Sequence, residues 1–172
     1  RQVRELDFKC RLATNEIELK EWYQRCHLIR IEELKGQKWD YSLMKNLFCS
    51  GSGQLVVAVD QHENICGGCF ILKSTLVLEL FMMSTPEKNL RLGLNYLITE
   101  YLYCYARMQS IKYVNWQASN PPSGSIASFK KKWNAKEKKF LVYSKLIREV
   151  ISKDFLITNF KDCYIYPYDK LG

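Results

Sequence analysis

Nowhere do the 172 residues approach the ~20 consecutive apolar positions that a membrane-spanning helix needs, so membrane insertion is not expected. There is no signal-peptide pattern, and a chain that begins at Arg1 is expected to be a piece of something longer or a processed product. Only two histidines occur, His27 and His62, and neither has metal-ligand spacing. The seven cysteines are odd in number and lack the spacing of a small disulfide-rich domain, which excludes a disulfide framework. "CGGC" (Cys66 to Cys69) has the spacing of a redox pair or half a zinc site, but no second pair completes a metal site. A thioredoxin-like pair should open a helix, whereas "NICGGCFILK" reads as a strand. These thiols are therefore expected to be ordinary buried ones in a reducing cytoplasm, without metal. Repeats and low-complexity segments are also missing.

What is present is the composition of a globular protein, 47% hydrophobic and 26% charged, long enough for one domain with a real core. One domain over 1–172 is expected, with 155–172 as an uncertain tail. The net charge is +8, and its distribution is uneven. From Lys130 to Gly172 there are 11 basic and 5 acidic residues, so most of the excess lies in the last quarter of the chain. That asymmetry fits an anionic partner such as phosphate, nucleotide or RNA; a solvated basic face is the alternative.

Periodicity predicts the elements. "VRELDFKC" alternates as an edge strand. Asn15 with Glu18 makes a capping box for a helix whose stripe is Leu19, Trp22, Tyr23, Cys26 and Ile29. A second helix, about 41–49, follows Asp40 as its cap. "QLVVAVD" and "ICGGCFILK" form an antiparallel hairpin across "QHEN", and "STLVLELFMMS" is a central strand ended by Pro86. A helix over 90–107, a strand "IKYVNW", a short helix through Phe129 and Trp133 and a strand "KKFLVYSK" follow. The fold class is α/β: a single domain with a mixed, mostly antiparallel sheet, flanked by helices. Strands 76–83 and 111–116 should be a parallel, V-shaped central pair joined by helix 90–107. Such a unit places a helix N-terminus at a sheet opening, where an anion can be held.

This arrangement resembles the GNAT acyltransferase fold. "NWQASNPPSGSIASFKKKW" is similar to the Fem-type branch, the peptidoglycan aminoacyltransferases and their relatives, whose pattern is G-x-N … G … F-K-x-x-F. Here it reads Ala118-Ser119-Asn120, then Gly124, then Phe129-Lys130-Lys131-Lys132-Trp133. "VVAVDQHENICGGCFIL" also resembles that branch's hairpin. The likeness covers roughly 15–145 and belongs to the second of two GNAT-like halves, so the chain is expected to be an excised C-terminal half or a single-domain relative, with another GNAT-like half or a homodimer as a partner.

The resemblance implies an N-acyltransferase that moves an acyl or aminoacyl group from acyl-CoA, acetyl-CoA or aminoacyl-tRNA to an amine. The amine would be a small molecule or peptide, phosphate-bearing, with tRNA as a further partner, and the setting cytoplasmic. The alternative is a non-catalytic GNAT-like half that holds RNA or a phosphorylated ligand through its basic C-terminal third. The family's phosphate loop, Q/R-x-x-G-x-G/A, is matched only in part by "TPEKNLRLGLN": Lys88 takes the first position, Arg91 replaces the first glycine and Gly93 is the second. Lys88, Arg91, Leu92, Gly93 and Leu94 are the implied cofactor-binding residues, with the strand backbone of Met82, Met83 and Ser84 polarising the carbonyl. A solvated first helical turn is the other reading of Lys88 and Arg91. Glu79, on the central strand, is the implied general base; a side chain paired on the sheet surface is the other reading. No tyrosine lies between Tyr113 and Tyr143 to serve as the usual general acid. Asn120, Gly124 and Lys130 are the implied substrate contacts, while Phe129 and Trp133 are read as anchors of their short helix. Direct transfer needs no covalent nucleophile, so the lack of a Ser-His-Asp set excludes nothing here.

Overall fold

The computed structural model describes residues 7–36, 38–117 and 124–137. The chain forms two compact units, Arg1–Gln117 and Ala118–Gly172.

The first unit is a five-stranded sheet in the order β1 (Lys9–Leu12), β2 (Gly53–Val59), β3 (Ile65–Lys73), β4 (Val77–Ser84), β5 (Tyr113–Asn115). Neighbours are antiparallel except β4 and β5, which run parallel. β2 and β3 are buried on both faces, which is why they read as continuous apolar runs in the sequence. β4 alternates partly buried and buried residues instead. The described sheet is thus the expected α/β mixed sheet, with the parallel pair at one side. The predicted strand "KKFLVYSK" and the tail 155–172 lie outside the described residues.

One face carries a bent helix built from α1 (Glu16–Trp22), a π-helical turn (Tyr23–Leu28) and α2 (Ile29–Leu34). Asn15 caps it by accepting from the Glu18 N–H at 3.1 Å. The return bond of the expected box is shifted by one residue, since the Glu18 carboxylate accepts from Thr14 N–H at 2.7 Å. Arg11 donates to the same carboxylate at 2.6 Å, and this bond, with the others, holds Glu18 below the usual carboxylate range. Leu19, Trp22, Tyr23 and Cys26 are buried as the stripe requires. Ile29, predicted on that stripe, is exposed: the wider π turn rotates the face that follows it. Helix α3 (Tyr41–Cys49) starts at Asp40, whose carboxylate accepts from Ser42 N–H at 2.8 Å. These helices pack over Leu55, Val57, Phe70 and Met82.

The other face is covered by α5 (Leu94–Met108), whose Leu94, Ile98, Leu102 and Tyr105 bury against Val56, Ile71, Leu78 and Leu80. The single helix expected over 90–107 is in fact two. A short α4 (Glu87–Leu90) ends at a turn, and Gly93, with φ 84°, turns the chain into α5. Only glycine adopts that left-handed conformation without a steric cost.

The two central glycines of "CGGC" are required by close approach. A Cβ on Gly68 would stand 2.6 Å from the Val56 carbonyl oxygen and 2.8 Å from the Trp22 indole nitrogen. One on Gly67 would stand 2.6 Å from Thr85 Oγ1. Cys66 and Cys69 carry free thiols on β3, and burial pushes both up in pKa.

In the second unit, α6 (Gly124–Lys132) is the described element. Its Phe129 and Trp133 rings meet edge to face, with centroids 6.5 Å apart.

Candidate active site

The site is set by how β4 and β5 separate. They are in register at Val77 and Tyr113, Leu78 and Val114, Glu79 and Asn115, and there the pairing stops. Beyond Glu79, no strand of the described residues pairs with Leu80–Ser84 on the β5 side. On the other side β4 stays paired with β3, but not evenly. Between Glu79 (opposite Leu72) and Met82 (opposite Phe70), β4 has one residue more than its partner. The consecutive side chains Phe81 and Met82 consequently point into the same cluster. A bulge of this kind bends a strand and increases its twist. β5 itself ends at Asn115, so Leu80–Ser84 have no strand partner on that side among the described residues.

The turn into α5 leads to Leu94, which packs in one cluster with Leu78 and Leu80 of β4. The N–H groups of Asn89, Arg91, Leu92 and Gly93 are used within the turn, donating to carbonyls of Pro86, Glu87, Asn89 and Leu90 at 2.9–3.2 Å. Leu92 and Gly93, expected to offer backbone to a pyrophosphate, thus have their N–H groups committed. What remains is the first turn of the 15-residue α5, beginning at Leu94: Tyr96 N–H donates to the Gly93 carbonyl at 2.9 Å, which leaves those of Leu94 and Asn95 without a carbonyl of their own helix. Arg91 is exposed and pairs with Glu87 at 2.6 Å. Lys88 lines an open cleft of about 510 Å³ together with Arg25, Asn64, Cys66 and Asn89. Asn89 donates to the Cys66 carbonyl at 2.7 Å and so ties the turn to β3.

Glu79 is half-buried at the last paired position. One carboxylate oxygen accepts from Asn115 Nδ2 at 2.9 Å and the other from Gln117 Nε2 at 2.5 Å. Phe81, two residues on, meets Trp39 with ring centroids 5.1 Å apart. Trp39 is about half exposed, and its carbonyl accepts from Tyr23 Oη at 2.6 Å.

His27 is not among the residues expected from the sequence. It is fully buried, 3.0 Å from Ser84 Oγ through Nδ1, and burial holds its pKa down to about 4. The signal was available, since His27 follows Tyr23 by four residues and therefore continues the buried stripe. Of the remaining expected contacts, Asn120 lies outside the described residues. Gly124 opens α6, and Lys130 is half-buried near its end, its pKa lowered by burial, while Lys131 and Lys132 are exposed.

Among the described residues no group of three or more His, Cys, Asp or Glu side chains converges as a metal site. No helix among them is long and apolar enough to cross a membrane.

The strand order, the parallel pair and the turn into α5 can be set against solved structures. An aminoglycoside acetyltransferase, meta-AAC0020, from an uncultured soil metagenomic sample and solved with sisomicin, superposes with a TM-score of 0.65. It is 13% identical, over 84% of this chain and 99% of its own. The fold is that of the GNAT acetyltransferases. Two further structures share it. The ribosomal-protein-alanine N-acetyltransferase of Brucella melitensis biovar Abortus 2308 has a TM-score of 0.58 at 13% identity, over 83% of this chain and 99% of its own. An acetyltransferase of Trypanosoma brucei has a TM-score of 0.57 at 15% identity, over 81% and 100%. No protein-family model matches the sequence, and no curated protein does either.

Proposed function

We propose that the chain is an N-acyltransferase that uses acyl-CoA and passes its acyl group to an amine. The observation that carries this reading is the end of β4 beyond its pairing with β5, which has no strand partner on that side among the described residues, while Leu94 at the start of α5 packs in one cluster with Leu78 and Leu80 of that strand. The chemistry fits the parts. A thioester carbonyl laid along Met82–Ser84 can accept backbone N–H bonds that strengthen as negative charge develops on its oxygen. The diphosphate of the donor can meet the first turn of α5 and the side chain of Lys88, with Leu94 in the opening turn and Gly93 shaping it. The amine nitrogen attacks the carbonyl carbon, the C–S bond breaks, and the thiol leaves with the proton that the ammonium intermediate gives up.

Glu79 is the group proposed to take a proton from the substrate ammonium first, so that a neutral amine attacks; the proton that leaves with the thiol is the second one, given up by the nitrogen of the intermediate. Each of its oxygens has one amide bond and retains a second lone-pair direction. Phe81 and Trp39 then form an aromatic wall for the acceptor, which suits a small-molecule or peptide amine with an apolar body. Arg91 contributes as a cation at the mouth, shared with Glu87.

An aminoacyl-tRNA donor, a phosphate-bearing acceptor and membership of the Fem-type branch rest on the Phe129–Trp133 pattern and the basic C-terminal third. The same features support the alternative of a non-catalytic RNA- or phosphate-binding half.

Titration calorimetry against CoA, acetyl-CoA and bulk tRNA separates the readings. Binding of acetyl-CoA, followed by thiol release on adding a panel of aminoglycosides and peptide amines, is the expected result. A protein that binds tRNA and neither form of CoA is the binding half instead.

A further inference from the structure

Below the end of β4, an otherwise apolar layer contains a set of polar atoms. His27 and Ser84 are 0% and 2% exposed, with His27 Nδ1 3.0 Å from Ser84 Oγ. The imidazole is enclosed by Trp22, stacked at 5.8 Å between centroids, and by Tyr23 at 5.2 Å. Among the described residues, neither the second ring nitrogen of His27 nor the indole nitrogen of Trp22 has a hydrogen-bond partner. Each therefore carries a desolvation cost that a phenylalanine in the same place would avoid. The turn that delivers them is π-helical, the form of helix that recurs at functional sites.

The position of Ser84 suggests what that cost serves. It is the last residue of β4, paired to Gly68 on one side and, among the described residues, without a strand partner on the other. A strand end held by one ladder is free to swing, and a backbone that polarises a carbonyl must be held to within a fraction of an ångström. The imidazole ties Ser84 from the sheet face. Gly68 is what allows Trp22, and with it the helix that carries His27, to come this near. Burial keeps the ring neutral, with one donor and one acceptor nitrogen, so the tie does not change across ordinary pH.

We propose that His27 is a positioning residue of acyl transfer: through the Ser84 hydroxyl it holds the free end of β4 where the donor's carbonyl binds. The inference rests on the acyl-CoA reading above.

Isotope-edited infrared spectroscopy of bound acetyl-CoA, labelled at the carbonyl carbon, reads the effect directly. The wild-type protein should shift the thioester C=O stretch to lower frequency than in solution. In Ser84→Ala and His27→Phe, at saturating acetyl-CoA, that shift should be lost, with CoA affinity held within about twofold. His27→Gln, whose amide can still meet the serine, should restore most of it. Wild-type protein that binds no acetyl-CoA removes this inference together with the acyl-CoA reading. Binding with an unshifted carbonyl, or a shift unchanged in both variants, removes the inference alone. So does a loss of CoA and acetyl-CoA affinity in step with melting temperature, which would make His27 a packing residue only.

Discussion

Glu79 and Asn115 are the last residues at which β4 and β5 stand opposite each other, and their side chains are joined there by a hydrogen bond of 2.9 Å. The carboxylate marks the end of the paired stretch and is fixed by amides from β5 and from Gln117 just beyond it. If it takes the proton of the attacking amine, Glu79→Gln should lower the rate of transfer by about 10²- to 10⁴-fold. Asn115→Ala should cost less, since the Gln117 bond remains. Steady-state rates of thiol release, measured with an accepted amine, check this. A Glu79→Gln protein of wild-type rate would leave the carboxylate as a surface clamp.

The buried imidazole makes stability depend on acid. His27 has a folded-state pKa of about 4 against an ordinary 6.5, so below pH 6.5 the unfolded chain binds a proton that the folded one refuses. Stability should be intact above about pH 6.5 and fall progressively toward pH 4, by about 3 kcal/mol over the whole window. Urea denaturation at a series of pH values tests it. His27→Gln should flatten the profile in that window while carboxylate effects persist below it.

At the turn, Arg91→Glu and Lys88→Glu should each weaken CoA binding by tenfold or more, by placing negative charge beside the first turn of α5. Gly93→Ala forces a side chain into φ 84° and should destabilise the fold by about 1–2 kcal/mol. Calorimetry and thermal melts report these separately. Unchanged CoA affinity in both charge reversals would mean that the segment is only a connection.

Gly68→Ala is expected to destabilise by about 1–3 kcal/mol, because the added methyl meets the Val56 carbonyl and the Trp22 indole below contact distance. Chemical denaturation measures it. Stability equal to wild type would show that Trp22 can withdraw freely.

Lys130 differs from its neighbours in being half-buried beside Phe129 and Trp133. Lys130→Ala should lower affinity for a phosphate-bearing ligand by about 1.5–3 kcal/mol, if the lysine makes a charge-assisted bond. Lys131→Ala and Lys132→Ala should matter less, and mainly at low salt. Equal losses at all three, shrinking together as salt rises, would favour the polyanion-binding reading over the enzyme.

Elements whose signal is local were legible in the residues alone. Asn15 and Asp40 cap their helices by bonds to N–H groups two or three residues away. The helix stripe and the apolar runs of β2 and β3 follow from periods of 3.6 and 2. The order of these elements was enough to suggest the fold, because few topologies accommodate it. The bulge at Phe81–Met82 could not be read that way, since an extra residue exists only relative to the partner strand. The same holds for the amide pair on Glu79, which joins residues 36 and 38 positions apart in the chain. It holds for His27 and Ser84 as well: they are 57 residues apart, and no local pattern records that a π turn and a glycine let them meet.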